Sequence, residues 1–310
     1  MPDRSNSPNH FLASLSSEDY GLIQPHLRPV ELHGGLVLYT AQGAIERVYF
    51  PHTGVISLVV GLSDGRFVEA GMFGRNGVIG GGAALDGRVA INQAVAQVAG
   101  SGVTIEMGLL SRFVSQSDTL RLALMTHEQM IYAHTQQIAA CNATHHVDER
   151  LCRWLMQTRD LLMSDTLPLT QEFLSQMLGV QRSSVTMVAR KLQESGLINY
   201  SRGRIHVRDV EALRDSCCEC YRATTIISSG SSAGDQAPTM DPPAMRTTDR
   251  VGDPFAVRTH ARAAAPVAES IVVHRGVSVR SPTVGPACQE ECPQRSEFPT
   301  HRHANRATLQ

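Results

Sequence analysis

A chain of 310 residues with 28 basic and 29 acidic groups, a formal charge of −1, is long enough for two ordinary domains with a core each. Its apolar content of 42% contains no unbroken run of membrane-spanning length, which excludes an integral helical membrane protein, and the near-neutral total excludes a uniformly basic coat. The polar opening MPDRSNSPNH lacks the basic-then-apolar layout of a secretory signal, so the cytoplasm is the expected compartment.

A neutral sum still leaves room for a local basic patch, and here arginine supplies nearly all of it, Lys191 being the only lysine. The seven cysteines, Cys141, Cys152, Cys217, Cys218, Cys220, Cys288 and Cys292, do not form the even framework of a disulfide-held fold. Cys141 and Cys152 fall within helical patterns and read as small buried thiols. The CCEC run of Cys217, Cys218 and Cys220 has the composition of a metal-binding or oxidation-responsive site. It lacks the paired C-x-x-C spacing of a zinc or iron–sulfur centre, so no metal is expected there.

Taken in chain order, Ser16 or Ser17 can cap a short helix with Glu18 and Asp19 in its first turn. From Pro29 to about Glu106 short runs such as GLVLYT, RVYF, GVISLVV, RFVEAGMF and AVAQVAG are cut by glycine, proline or Asp-Gly, with LSDGRF a tight hairpin around Asp64 and Gly65. Many short strands at close spacing predict a β-barrel, roll or sandwich.

Between Gly108 and Gly179 there is no glycine, and the stretch SDTLRLALMTHEQMIYAHTQQIAACN predicts a long helix. Leu124, Ile131 and Ile138 stand seven apart, with Leu120, His127, His134 and Cys141 as a second row, so that both rows share one seam suited to a coiled-coil-like partner helix. Packing on the chain's own barrel is the alternative, favoured by the two histidines in the row. Val147, Leu151, Trp154, Leu155, Thr158 and Leu162 then recur at helical spacing, with Trp154 as core. His145, His146, Asp148 and Glu149 are consecutive enough to point apart and read as a solvated helix start.

The stretch TQEFLSQMLGVQRSSVTMVARKL carries position-specific constraints. Counting Gln171 as first, the fifth residue, Ser175, must be small where two helices cross. The ninth, Gly179, sits in a turn that favours a left-handed backbone, and the fifteenth, Val185, closes the apolar face. With Leu174, Leu178, Val180 and Val188 inward, the residues left outward are Gln181, Arg182, Ser183, Ser184, Thr186, Met187, Arg190 and Lys191, a surface that suits a major groove. Thr170, just before the first helix, is an N-cap and a candidate phosphate contact, and Gln171 is a further candidate DNA contact. Downstream, SGLINYSRGRIHVRD predicts a helix stop at Ser195-Gly196 and two strands, Leu197 to Tyr200 and Arg204 to Val207, joined by a turn at Ser201 to Gly203. Arg202 and Arg204 stand on the tip of this wing, facing phosphates.

A β-rich N-terminal half, a long helix and a C-terminal winged helix together resemble the Crp/Fnr family of bacterial transcription regulators from about Phe11 to Tyr221. The likeness is closest in HHVDERLCRWL, LPLTQEFLSQMLGVQRSSVT and GLINYSRGRI. The resemblance implies an α+β chain with an antiparallel, jelly-roll-like β-roll sensor over 11–108 and a connecting and dimerisation helix over 109–145, in which Leu120, Leu124, His127, Ile131, His134 and Ile138 face the partner. It further implies a winged helix-turn-helix over 146–221, and it does not reach the tail at 222–310, whose Ser, Pro, Thr, Gly and Arg content predicts disorder. Such a homodimer binds double-stranded promoter DNA and engages RNA polymerase under the control of an effector at the roll.

The segment GVIGGGAALDGRVAINQAV matches the family's phosphate cassette in place but not in chemistry. Gly80, Gly81, Gly82 and Arg88 are the candidate effector residues, yet Gly81 stands where the family's carboxylate belongs, Ile91 is near the arginine position, and Asp86 is out of place as a substitute acid. Cyclic AMP is therefore disfavoured. An iron–sulfur cluster is disfavoured as well, because no cysteine precedes the roll. An enzyme is not expected, since there is no nucleophile elbow, Walker loop or H-E-x-x-H. A roll that acts through protein partners, with the winged helix as their interface, is the competing function.

Overall fold

The computed structural model describes residues 4–87 and 89–229; Arg88 and the expected tail from 230 onward, with Cys288 and Cys292, lie outside the described residues. Two short helices come first, α1 (His10–Ser14) and α2 (Ser17–Ile23), and of the two candidate serines it is Ser16 whose Oγ caps α2, accepting from the Asp19 N–H. Strands β1 (Arg28–Leu32), β2 (Val37–Tyr39), β3 (Arg47–Pro51), β4 (Val55–Gly61) and β5 (Phe67–Phe73) follow. Then come α3 (Ala83–Asp86), β6 (Gln93–Val98) and β7 (Gly100–Glu106).

All seven strands pair antiparallel, in sheets ordered β1-β7-β3 and β2-β6-β4-β5, which is the expected roll. The β4–β5 hairpin closes with the Leu62 N–H on the Arg66 carbonyl at 2.8 Å, around Ser63-Asp64-Gly65. Strand β7 is central to its sheet although GSG looks like punctuation: a Cβ at Gly102 would stand 2.5 Å from the Phe50 carbonyl oxygen, so glycine lets β3 approach.

The single connecting helix expected over 109–145 is two, α4 (Met107–Gln116) and α5 (Asp118–Thr144), broken at Ser117, whose side chain caps α5. The seam expected to face a partner is filled from within the chain, which corrects that expectation. Leu120 and Leu124 are buried with Phe11, Leu12, Val48 and Leu110, and Ile131 packs half-buried beside Ile56 and Phe73. His127 Nε2 accepts from the Val78 N–H at 2.9 Å, and the His134 ring lies 5.2 Å from that of Phe73. Ile138 is likewise buried.

Helix α6 (Val147–Leu162) leads to β8 (Thr166–Leu167), α7 (Gln171–Leu178), α8 (Arg182–Glu194), β9 (Ile198–Ser201), β10 (Arg204–Val207), α9 (Val210–Asp215) and α10 (Cys220–Ser229). Helix α10 corrects the tail boundary, because residues 222–229 are helical and pack with α5 and α6. Strands β8, β10 and β9 form the wing sheet in that order. The two-residue turn Arg202-Gly203 has φ of +47° and +73°, the type I′ pattern that matches strand twist, so Ser201 belongs to the strand and not to the turn. Gly179 ends α7 at φ +64°, and the Val180 N–H returns to the Ser175 carbonyl at 3.0 Å, as the helix-turn-helix spacing required.

One core joins the two halves. Val55, Val59, Met72 and Val98 of the roll share it with Leu151, Trp154 and Leu155 of α6 and with Leu174, Val185, Ile198 and Ile205 beyond. Inside it the indole N–H of Trp154 donates to Glu69 Oε1 at 2.9 Å, while Ser57 Oγ donates to the other carboxylate oxygen. Burial raises Glu69 to about 7, against hydrogen bonds and the Arg153 charge that pull it down. Burial lowers His127 to about 4, and lowers His134 to about 4 with the Arg153 charge adding to it.

A carboxyl raised in the folded state stabilises most below its unfolded value and loses that contribution as pH climbs to about 7. The lowered histidines contribute above their unfolded value of 6.5 and lose it as pH falls toward about 4. Glu69→Gln is therefore expected to gain stability relative to the parent between pH 4.5 and 7, by an order of 1–3 kcal/mol, as read by urea unfolding at the two pH values. Gly179→Ala forces a Cβ into a left-handed residue and to within 3.3 Å of Val68, with an expected loss of about 1–2 kcal/mol by the same measurement.

Candidate nucleic-acid interface

Helix α8 buries Val185, Val188, Ala189 and Leu192 against the core and leaves the other face to solvent. Arg182, Ser183, Thr186, Met187, Arg190 and Lys191 line an open groove together with Gln171 and Glu194, and Gln181 is exposed at the helix start. Ser184 is half-buried, which sets it apart from the other outward candidates. Thr170 caps α7, its Oγ1 accepting from the Phe173 N–H at 3.2 Å, and it stands beside Gly203 of the wing turn. First-helix start, reading helix and wing thus form one continuous surface. Arg202 and Arg204 are exposed on the wing, flanked by Asn199, Ser201 and His206.

Much of this surface is already tied by weak, exposed contacts. Arg182 reaches Glu172 at 3.7 Å, Arg190 reaches Glu194 at 3.0 Å and Lys191 reaches Asp148 of α6 at 3.3 Å. Thr186 Oγ1 donates to Gln171 Oε1 at 2.8 Å. Exposed pairs of this kind contribute at most about 1 kcal/mol each, so a phosphate could take over the cation at small cost. Lys191 lines the groove while its ammonium reaches back to α6. The wing arginines Arg202 and Arg204 have no carboxylate partner among the described residues.

A cavity lies beside the candidate effector residues, with a lining that differs from the expectation. Gly80 and Gly82 border it with Tyr39, Ile45, Ala90 and Asn92, while Gly81 packs against Val78 and Leu124. Ile91 is 90% exposed at the rim. Two carboxylates enter, Asp86 and, from α5, Glu128, which sequence spacing within the cassette could not reveal. The Gly82 N–H bonds the Glu128 carboxylate, and burial with the Asp86 charge raises that carboxyl. Burial and the Glu128 charge push the Tyr39 phenol up.

The cysteines also depart from the linear reading. Cys217 stands half-buried with its Sγ donating to the Leu213 carbonyl, but Cys218 and Cys220 fold back to meet Cys141 and His145. Cys141 is therefore not an isolated core thiol, and His145 does not belong to a solvated helix start. His146 does start α6, in a capping box with Glu149.

A family model described as the Crp-like helix-turn-helix domain matches residues 149–216. No curated protein matches the chain. Solved structures of similar fold include a transcriptional regulator of the Crp/Fnr family from Eubacterium rectale, with 16% identity and a TM-score of 0.54 over 65% of this chain and 94% of that one. FixK2 from Bradyrhizobium japonicum has 17% identity and a TM-score of 0.54 over 62% and 98%. The c-di-GMP-responsive regulator CLP of Xanthomonas campestris has 16% identity and a TM-score of 0.52 over 63% and 100%. No helix among the described residues is long and apolar enough to cross a membrane. Residues 149–216 match a Crp-like helix-turn-helix domain, and from roll to wing the chain has a fold similar to that of solved Crp/Fnr regulators.

Proposed function

We propose that the protein is a cytoplasmic, sequence-specific transcription regulator of the Crp/Fnr type, not an enzyme. It binds double-stranded promoter DNA as a homodimer, engages RNA polymerase there, and responds to an effector at the roll. The observation that carries this reading is the uncovered face of α8, which offers Arg182, Ser183, Thr186 and Arg190 to solvent while its other face is locked in the core. Its 13 residues make a rod of about 20 Å, which fits a major groove about 12 Å wide. Arg182, the first residue of α8, has the reach for bidentate pairing with guanine, and Arg202 and Arg204 have the placement for phosphates. Glu128, accepting the Gly82 N–H at the cassette, supports an effector other than a cyclic nucleotide.

A second copy fits the outer face of α5, not the seam read from the sequence. Leu122 (64% exposed), Met125 (46%) and Tyr132 (65%) repeat there at three- and seven-residue steps, on the side turned away from the roll. A pair of reading helices about 34 Å apart meets two half-sites of one operator.

In a gel shift at controlled salt against upstream DNA of its own genome, Arg182→Ala is expected to lower specific affinity about 10- to 100-fold and to leave random duplex unchanged. Arg202→Ala and Arg204→Ala should weaken every duplex alike and reduce the salt slope by about one each. No preference over random duplex, with Arg182→Ala without effect, overturns the reading. For the partner face, Leu122→Glu with Tyr132→Glu is expected to sediment as a monomer with the parent's circular dichroism, and a dimer that persists places the second copy elsewhere.

A further inference from the structure

The last turn of α5, the two-residue joint to α6 and the turn leading into α10 bring Cys141, His145, Cys218 and Cys220 together, although more than 70 residues separate the two halves of the set. One ligand atom from each lies within 4.8 Å of all the others. Cys141 Sγ stands 3.6 Å from Cys218 Sγ, and Cys220 Sγ stands 3.6 Å from His145 Nδ1. A tetrahedral zinc ion, with bonds of about 2.3 Å to sulfur and 2.0–2.1 Å to nitrogen, sets its ligands about 3.5–3.8 Å apart, so these edges already have the required length. All three cysteines are buried and the histidine is 17% exposed, which leaves no open position for water or substrate.

We propose that these four side chains form a closed, tetrahedral Cys3His site for a thiophilic divalent cation of the zinc class. The surroundings are those such an ion needs. With Nδ1 turned to the sulfurs, His145 presents Nε2 to Glu219 Oε1 at 3.1 Å, the carboxylate–histidine arrangement that fixes the tautomer and the ring of a metal ligand. Gln137 Nε2 donates to Cys220 Sγ at 3.0 Å, as a thiolate would favour. Three thiolates and a neutral imidazole around a divalent ion leave one net negative charge. Arg153, whose charge acts on Cys141, is buried and has no carboxylate within ion-pair distance among the described residues, so it supplies the counter-charge. Binding releases the thiol protons to solvent, up to three for each ion taken up.

Other uses of the cluster explain less of it. A Cys141–Cys218 disulfide needs two sulfurs near 2.05 Å and accounts for neither Cys220 nor His145 aimed at the same point. A multi-iron cluster needs more space than donors within 4.8 Å of one another enclose. The family model ends at residue 216, so Cys218, Glu219 and Cys220 lie just outside the matched domain. His145 is one of the two residues between α5 and α6, and a metal bound there braces that joint against α10.

The test uses the full chain, purified under reducing conditions without added metal, with metal content measured by elemental mass spectrometry. About one zinc per chain is expected. After removal by chelator, Co2+ titration should restore one equivalent, with thiolate-to-cobalt charge transfer and the strong visible bands of a tetrahedral site, displaced by Zn2+. Cys218→Ser and His145→Ala should lose this spectrum, and Cys288→Ser with Cys292→Ser should keep it. Glu219→Gln leaves all four donors in place and is expected to weaken Co2+ about 10- to 100-fold, so it reads the site even where a ligand variant fails to fold. A reduced chain that holds no zinc and takes up no Co2+, or one whose spectrum survives Cys218→Ser, overturns the proposal. So does peptide mapping that finds Cys141 joined to Cys218 with no metal uptake after reduction. None of these readouts involves DNA, so they stand apart from the regulatory reading.

Discussion

Helix α6 has to bury both of its sides, and most of the molecule is arranged around that constraint. Residues 150–158 of this helix are all buried, including Arg150, Arg153 and Gln157, so no face of its middle turns is left for water. Polar groups placed so deep must find partners. Arg150 donates to the Leu178 carbonyl at the end of α7, and Arg153 donates to Gln157, which passes a hydrogen bond on to Thr224 of α10. Trp154 spends its N–H on Glu69 of the roll. Roll, reading domain and C-terminal helix are thus referred to one rod, and the orientation of α8 follows from how that rod is packed.

What the sequence made legible, and what it did not, divides along local and non-local physics. The helix-turn-helix could be read because its constraints fall within 15 residues: a small Ser175, a left-handed Gly179 and a buried Val185 are each needed whatever surrounds them. The strands with apolar alternation were legible for the same reason, while β7 was not, since its glycines answer to β3 and not to their own neighbours in sequence. The α5 seam shows the limit of periodicity. A heptad stripe reports that a face is buried and is silent on what buries it, and here the chain's own roll and α10 do so. Glu128 in the pocket and His145 among the cysteines were out of reach because each acts across a fold contact that no spacing records.

The charges of the reading surface are organised differently from those of the interior. Arg182 and Arg190 are held by exposed carboxylates that water already screens, so exchanging Glu172 or Glu194 for a phosphate changes little in the protein itself. The wing tip carries a cost of another kind. Arg202 sits at φ +47° in a turn where asparagine or glycine would be easier, so the chain keeps a cation at a position that backbone energetics alone would give to another residue.

The turn at Gly179 also touches the roll, packed on Val68 near the tip of the β4–β5 hairpin. That contact makes the hairpin a fulcrum. A rod about 20 Å long that pivots by about 10° at its near end swings its far end through roughly 3 Å, a whole hydrogen-bond length. If the roll is the sensor proposed above, strain arriving along β4 and β5 would be magnified toward the Glu194 end of α8 without any element having to unfold, and the stiffness of a single hairpin would set how far that end moves.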